Sequence, residues 1–227
     1  MLKKDTLLLK SKLPKTFILV LIINLTSSFS NAQGEWKTAL EKDAIRVYTR
    51  EMADSKFKEY KGETLVKTTL SCLVSLLDDA PYQKNWMYDI TEAKRLKTIN
   101  KTEGYNYFVQ TAPWPVTDRD VIIKYTLTQD KKTKAVTIEL KGVKDYIAEK
   151  QDKVRIPSLK GKWEFIPLGN GIIKVVYQVH SETGGYVPAS IANAVCVDIP
   201  YNTLKNLKKE IENPKYRNAV IDELLEP

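Results

Sequence analysis

The stretch Arg119-Asp-Val-Ile-Ile-Lys-Tyr-Thr-Leu-Thr-Gln129 decides the architecture of this chain. Along it Val121, Ile123, Tyr125 and Leu127 fall on one side, whereas Lys124, Thr126 and Thr128 fall on the other. Successive side chains of a strand point to opposite faces. A period of two therefore describes a strand with one buried and one wet face, the pattern of an antiparallel sheet. Val136, Ile138 and Leu140 repeat it, as do Ile173, Val175, Tyr177 and Val179. Between residues 161–167 and 172–179 stands Asn170-Gly171, a pair suited to the two positive-φ positions of a tight hairpin turn. Strands are also predicted over 91–99, 105–110 and 136–142, and before these over 44–50 and 57–67. Such a sheet is built from consecutive hairpins, with no alternating βαβ units.

Helical spacing occupies the gaps. Leu70, Leu73, Val74 and Leu77 recur at helical intervals, with Thr68 or Thr69 available as the N-cap, and Asp78-Asp79-Ala80-Pro81 stops the run. A short helical piece over 82–88 carries Trp86. After the last strand, Gly184-Gly185-Tyr186-Val187-Pro188 leads into a long helix to about residue 210, with Pro188 suited to its first turn. Its apolar positions are Ile191, Ala194, Val195, Ile199, Leu204, Leu207 and Ile211, and Pro200 predicts a kink or restart. Residues 213–227 read as a polar tail adding little to the core. The layout is two strands, two helices, six strands and one long helix, an α+β class. A curved antiparallel sheet of this size cannot bury its concave face on itself, so the long helix is its cover.

With 43% hydrophobic and 28% charged residues the 227-residue chain can bury a sizeable core, and its length fits one domain. Of the net charge of +8, half sits in the first 32 residues, where five lysines face only Asp5. The remaining +4 fits a membrane surface or anionic lipid, but plain solubility explains it more simply; no nucleic-acid partner is expected. The same 32 residues follow the plan of a secretory signal. Lysines run to Lys15, an apolar stretch covers Phe17 to Ile23, and Ser30-Asn31-Ala32 places small residues at −3 and −1 before Gln33. Asn24, Thr26, Ser27 and Ser28 make its second half too polar for the ~20 apolar residues of a membrane span. Export to the periplasm or secretion is the expectation. Cys72 and Cys196 each sit in an apolar helical stretch and read as buried thiols.

Four stretches carry a resemblance to a known family. Trp86 precedes Tyr88-Asp89-Ile90-Thr91-Glu92, and Pro113-Trp114-Pro115-Val116-Thr117-Asp118-Arg119-Asp120-Val121 opens a strand. Val154-Arg155 stands ahead of Gly161-Lys162-Trp163-Glu164-Phe165-Ile166-Pro167, and Gly184 to Pro188 leads into Ile191-Ala192-Asn193. In this order and spacing the chain resembles the START lipid-transfer domains over roughly residues 36–209, inside a domain of 33–212. The resemblance implies a helix-grip (START/Bet v 1-like) fold, with an apolar tunnel between the curved sheet and its C-terminal helix. It implies one small apolar ligand of the lipid, sterol or isoprenoid class, transient membrane contact and a monomer. Relatives with this fold also include cyclases and hydrolases, so fold alone does not decide function.

Arg119 is expected at the tunnel as a donor to a lipid's hydroxyl or headgroup, or as one half of a purely internal pair that holds the strand start in register; its partner is Asp120 or, by the family motif, Glu92 on the neighbouring strand. Trp114, Tyr105, Tyr107, Tyr125, Trp163, Phe165 and Tyr177 are the bulky candidates for its lining, joined by Val195 on the covering helix. Tyrosine suits a wall that is apolar along its length yet offers a hydroxyl to a lipid's polar end. The segment 146–155 resembles the family's long loop at the tunnel mouth. With the helix it is expected to gate entry, Gly184-Gly185 and Pro200 acting as hinges. Catalytic constellations are scarce. His180 is the single histidine, no Gly-x-Ser-x-Gly elbow or phosphate-cradling glycine loop occurs, and His and Cys spacing fits no metal. The expectation is a carrier with no cofactor, no metal and no catalytic residue; the alternatives are a cyclase- or hydrolase-type enzyme on the same fold and a non-catalytic envelope interaction module.

Overall fold

Each alternating segment forms a strand in the computed structural model, which describes residues 34–227. The expected signal segment lies outside these residues. Three strands come first: β1 (Lys37–Lys42), β2 (Ile45–Met52) and β3 (Ser55–Lys67). Helix α1 (Leu70–Asp78) and a 3-10 turn over Ala80–Asn85 follow. Next come β4 (Ile90–Asn100), β5 (Glu103–Gln110), β6 (Arg119–Gln129), β7 (Val136–Gly142), β8 (Val154–Arg155), β9 (Ser158–Gly169) and β10 (Ile172–Glu182). Helices α2 (Ala189–Glu210) and α3 (Pro214–Arg217) complete the order.

The sheet order is β1-β2-β3-β10-β9-β7-β6-β5-β4, antiparallel throughout, with β8 alone pairing in parallel to β6. Tight turns make the hairpins. Asn170 and Gly171 both take positive φ (54° and 71°), as the type I′ geometry of the β9–β10 hairpin requires. Because β3 and β4 lie far apart in this order, the chain between them must cross the concave face, and α1 is that crossing. It is buried nearly all round, which marks a core helix; Thr69 caps it by accepting from Cys72 N at 3.1 Å. At the sheet edge, β4 pairs with β5 in a register broken at three places, between Ile90 and Glu92, Arg95 and Lys97, and Thr98 and Asn100.

Helix α2 covers the sheet where a missing side chain lets it come close. A Cβ on Gly62 of β3 would stand 2.7 Å from Leu204 Cδ1 and 3.0 Å from Pro200 Cβ. The helix is continuous through Pro200, so the expected restart is not seen. Two strands and one helix escaped the periodicity reading. β1 is a mostly exposed edge with no buried alternate positions, and β8 is two residues long.

The tail corrects an expectation outright. Tyr216 on α3 is 1% exposed, and Ile221 and Leu224 pack on the main core. Glu226, one residue from the chain end, accepts from Leu70 N (2.9 Å) and Ser71 N (2.7 Å), so its carboxylate completes the N-terminus of α1. Cys72 and Cys196 are both buried and unpaired.

Candidate functional site

Between the concave face, α1, α2 and the tail lies a cavity of about 1020 Å³. The odd positions of β6, Val121, Ile123, Tyr125 and Leu127, line it, as the alternation requires. Ile138 and Leu140 of β7 and Trp163 of β9 continue the wall. Ile199 and Thr203 of α2 form part of its roof, and Tyr216, Ile221 and Leu224 of the tail close one end. At the other end it reaches Gln110 and Ser181, close to the ends of β5 and β10.

Charged groups border the cavity near the tail, at Asp79, Lys101, Lys215 and Glu223, and two further polar sets stand along its walls. On the β3–β10–β9 side, Tyr60 Oη donates to Tyr177 Oη at 3.3 Å, their rings edge to face with centroids 5.7 Å apart. Trp163 stacks on Tyr177 at 4.0 Å. Burial raises both phenol pKa values, that of Tyr60 well above its ordinary value with help from the neighbouring Tyr177, so both stay neutral. Two hydroxyls carry two protons but share one bond, which leaves one proton to point elsewhere.

On the β4–β5–β6 side, Asn106 stands opposite Arg95 on one neighbouring strand and Ile123 on the other. Arg95 is engaged. Its guanidinium donates to Asp78 O (2.5 Å), to Asp78 Oδ1 (2.6 Å) and to the hydroxyl of Tyr125. Asn106 is not: its residue is 6% exposed, and its Oδ1 is buried with no hydrogen-bond partner. A buried acceptor left in that state costs about 1–3 kcal/mol.

Of the residues expected to line a tunnel, Tyr125, Trp163 and Tyr177 do so. The others lie elsewhere. Tyr105 and Tyr107 belong to the opposite parity of β5 and pack with Val109 and Ile122 on the outer face of the sheet. Phe165 is fully buried in the core and Val195 is half-buried on α2, neither touching the cavity. Trp114 is 93% exposed. Glu92 pairs with Lys94 (3.0 Å) and Lys150 (3.1 Å), not with Arg119.

The buried ion pair exists, but with other partners. Asp120 points to the outer face, where Arg155 of β8 donates to Oδ1 at 2.9 Å and to Oδ2 at 3.0 Å, both side chains 1% exposed. Tyr107 Oη donates to the same carboxylate at 3.1 Å. Arg119 instead donates to the carbonyls of Thr117 and Thr183, and its burial lowers its pKa against the pull of Asp118.

The segment 146–155, expected as a loop at the tunnel mouth, ends in β8 and lies elsewhere. Arg155 donates to the carbonyls of Lys144, Ile147 and Ala148, Tyr146 stacks on Tyr105 at 4.2 Å, and Ile147 packs on the outer-face cluster. That loop is fastened to the face away from the cavity.

Sequence reasoning missed Tyr60, Asn106 and the tail. Asn106 carried a signal, a polar residue sharing its strand face with Phe108, but the bulkier tyrosines on either side drew the reading to the wrong parity.

The START domain family model matches residues 24–216. An uncharacterized protein of Pseudomonas aeruginosa is 37% identical over 183 residues, covering 80% of this chain and 90% of that protein. The crystal structure of a STAR-related lipid transfer protein fragment from Xanthomonas axonopodis is 34% identical with a TM-score of 0.73, covering 78% of this chain and 99% of that one. Human StAR-related lipid transfer protein 5 shares the fold at 17% identity and a TM-score of 0.70, with coverage of 78% and 86%. The curved antiparallel sheet, its covering C-terminal helix and these matches together show that the chain belongs to the START domain family.

Proposed function

We propose that this protein binds one lipid in its cavity and carries it outside the cytoplasm, as a transfer protein and not as an enzyme. The observation that carries this reading is an apolar cavity of about 1020 Å³ holding a buried, unpartnered acceptor on Asn106. Pockets for small ligands run to about 300–1,000 Å³; this one suits a sterol or an acyl-chain lipid. Its apolar walls take the hydrocarbon, Asn106 Oδ1 accepts from a hydroxyl or amide N–H, and the spare phenol proton of the Tyr60–Tyr177 pair serves a carbonyl or ether oxygen. A STAR-related lipid transfer protein at 34% identity supports the class of ligand. Against catalysis stands the state of the cavity's phenols, which burial keeps neutral and thus able to orient a guest but poor at exchanging protons near pH 7.

Release needs an opening. The glycine pair 184–185 ahead of α2 takes positive φ at both residues and supports a hinge there, with α2 lifting Ile199 and Thr203 away from the cavity. The N-terminal segment supports export.

Native mass spectrometry, with analysis of organic extracts from gently purified protein, tests the reading. One lipid equivalent per chain, exchangeable with added lipid, is expected. A cavity that carries nothing and takes up none of a broad panel of sterols, phospholipids, ceramides and isoprenoids overturns it.

A further inference from the structure

One end of the cavity is built from the last residues of the chain. Tyr216 of α3 and Ala219, Ile221 and Leu224 beyond it line this end. The charged groups around it are already engaged: Tyr216 Oη donates to Asp79 at 2.8 Å, Lys215 pairs with the same carboxylate, and Lys101 pairs with Glu223. The unpartnered acceptor of Asn106 lies well away from them. Asn106 stands opposite Ile123, and Gln129, which holds the tail, comes six residues further along β6, about 20 Å at the rise of a strand. Tyr125 and Leu127 line the interval. A guest whose polar end is held at Asn106 has room to run its chain toward the tail.

A wall can measure a chain only if it stays in place, and this one is fastened along both sides. On the α1 side, Glu226 accepts from Leu70 N (2.9 Å) and Ser71 N (2.7 Å), and Ile221 N donates to Ser71 Oγ at 3.2 Å. On the β6 side, Gln129 Nε2 donates to Leu225 O and Gln129 Oε1 accepts from Leu225 N, both at 2.9 Å. Leu224 N donates to Ile221 O at 3.0 Å, closing a turn between the two fastenings. The inward side chains of Ile221 and Leu224 thus stand between fixed points.

We infer that the C-terminal segment is the ruler of the cavity: Ile221 and Leu224 stop the hydrocarbon end of a straight-chain lipid and so set the longest chain the protein takes. Each CH2 added to a guest buries more apolar surface until the chain end meets this wall. Past that point the guest has to coil against the walls or lift the tail and break its bonds, and both cost affinity. Selection by length then belongs to two side chains of the tail and not to the sheet. The inference rests on the lipid-carrier reading and names the straight-chain class within it.

The test is competition of 1-monoacylglycerols, of about 10 to 22 acyl carbons, against a dansyl-labelled fatty acid on the full-length protein. These probes bring hydroxyls to Asn106 and an ester carbonyl to the phenol pair. Wild-type affinity rises about four-fold per added CH2 and then breaks at one chain length. Leu224→Ala and Ile221→Ala each move the break to chains about two to three carbons longer, matching the three carbons removed. Leu224→Trp moves it to shorter chains, and removing residues 222–227 erases it. Ile221 and Leu224 are half-buried, so the point variants keep the fold even where the shortened chain does not. Leu159→Ala, an equal cut in the cavity wall beside Ser181, leaves the break where it was. A wild type with no break, a break that stays put in the three tail point variants, or an equal shift in Leu159→Ala overturns the inference. So does a protein that binds sterols but no monoacylglycerol, which leaves the carrier reading standing. Protein that takes up no lipid of any class overturns the carrier reading and the ruler with it.

Discussion

Asp120 and Arg155 are each 1% exposed and share hydrogen bonds of 2.9 and 3.0 Å, so removing one leaves a buried, uncompensated charge on the other. Asp120→Asn or Arg155→Met should each lower stability by about 3–5 kcal/mol in urea or guanidinium titrations. Asp120→Leu combined with Arg155→Met should recover most of that loss, since an apolar pair leaves nothing unpaired. A double variant as unstable as the sum of the singles rejects the pairing.

Asn106 gives the opposite sign. Replacing it with Leu removes a buried acceptor that no protein group satisfies, so the ligand-free protein should gain about 1 kcal/mol. The same change should weaken binding of a hydroxyl- or amide-bearing lipid about ten-fold or more, read by competition against a fluorescent lipid. A ligand-free protein that is destabilised instead would show that Asn106 holds the wall together.

At this scale the sequence displayed Arg119-Asp120 as a charged cluster at a strand start. Which residue each would face depended on strand parity and on a two-residue strand 35 positions later, and neither has a local signature.

Among the elements, the tail is held by Asp79, whose carboxylate accepts from Tyr216 Oη at 2.8 Å and pairs with Lys215. Burial alone would raise this carboxyl's pKa, but the bonds from Lys215 and Tyr216 outweigh it and hold the group below 3.8. A depressed folded pKa means the stabilisation is present above about pH 4 and is lost as pH falls through the folded value. Hydrogen exchange of residues 213–227 should therefore accelerate on acidification below pH 4, ahead of the sheet, and Asp79→Asn should accelerate it already at pH 7. Equal tail protection in the variant would remove Asp79 from this role.

The covering helix has a tighter dependence. Gly62→Val pushes a side chain into Leu204 and Pro200, and strain of about 1–3 kcal/mol should follow in thermal unfolding. Eight of the ten strands, the hairpins between them, α1 and α2 were legible because each has a period or a turn signal of its own. The tail was not. Its apolar residues Tyr216, Ile221 and Leu224 are too few and too irregularly spaced to announce an element; Tyr216 is buried and the other two half-buried where the cavity offers them an end to close.

For the molecule as a whole, the cavity sets the energetics. The cavity is partly open and its walls are largely apolar, so water that enters it finds few partners and an apolar guest is favoured there. An apolar guest should then raise stability by about 2.7 kcal/mol when present at a hundred times its dissociation constant. For a domain this size that is a rise of roughly 5–10 °C in Tm between delipidated and loaded protein, seen by calorimetry. Sequence alone showed a sheet with a lid but not whether the space between them was hollow, since bulky wall residues read alike in a core and in a cavity.

The broken register of β4 has a further consequence. As an edge, its eleven residues present a row of unpaired backbone groups, a template onto which another chain could add a strand. Its three irregularities interrupt that row, and Lys94 and Lys97 set charge along it. A protein that must leave its cavity open to a guest keeps its sheet open as well, and it is this unevenness at the border that discourages growth into a fibre.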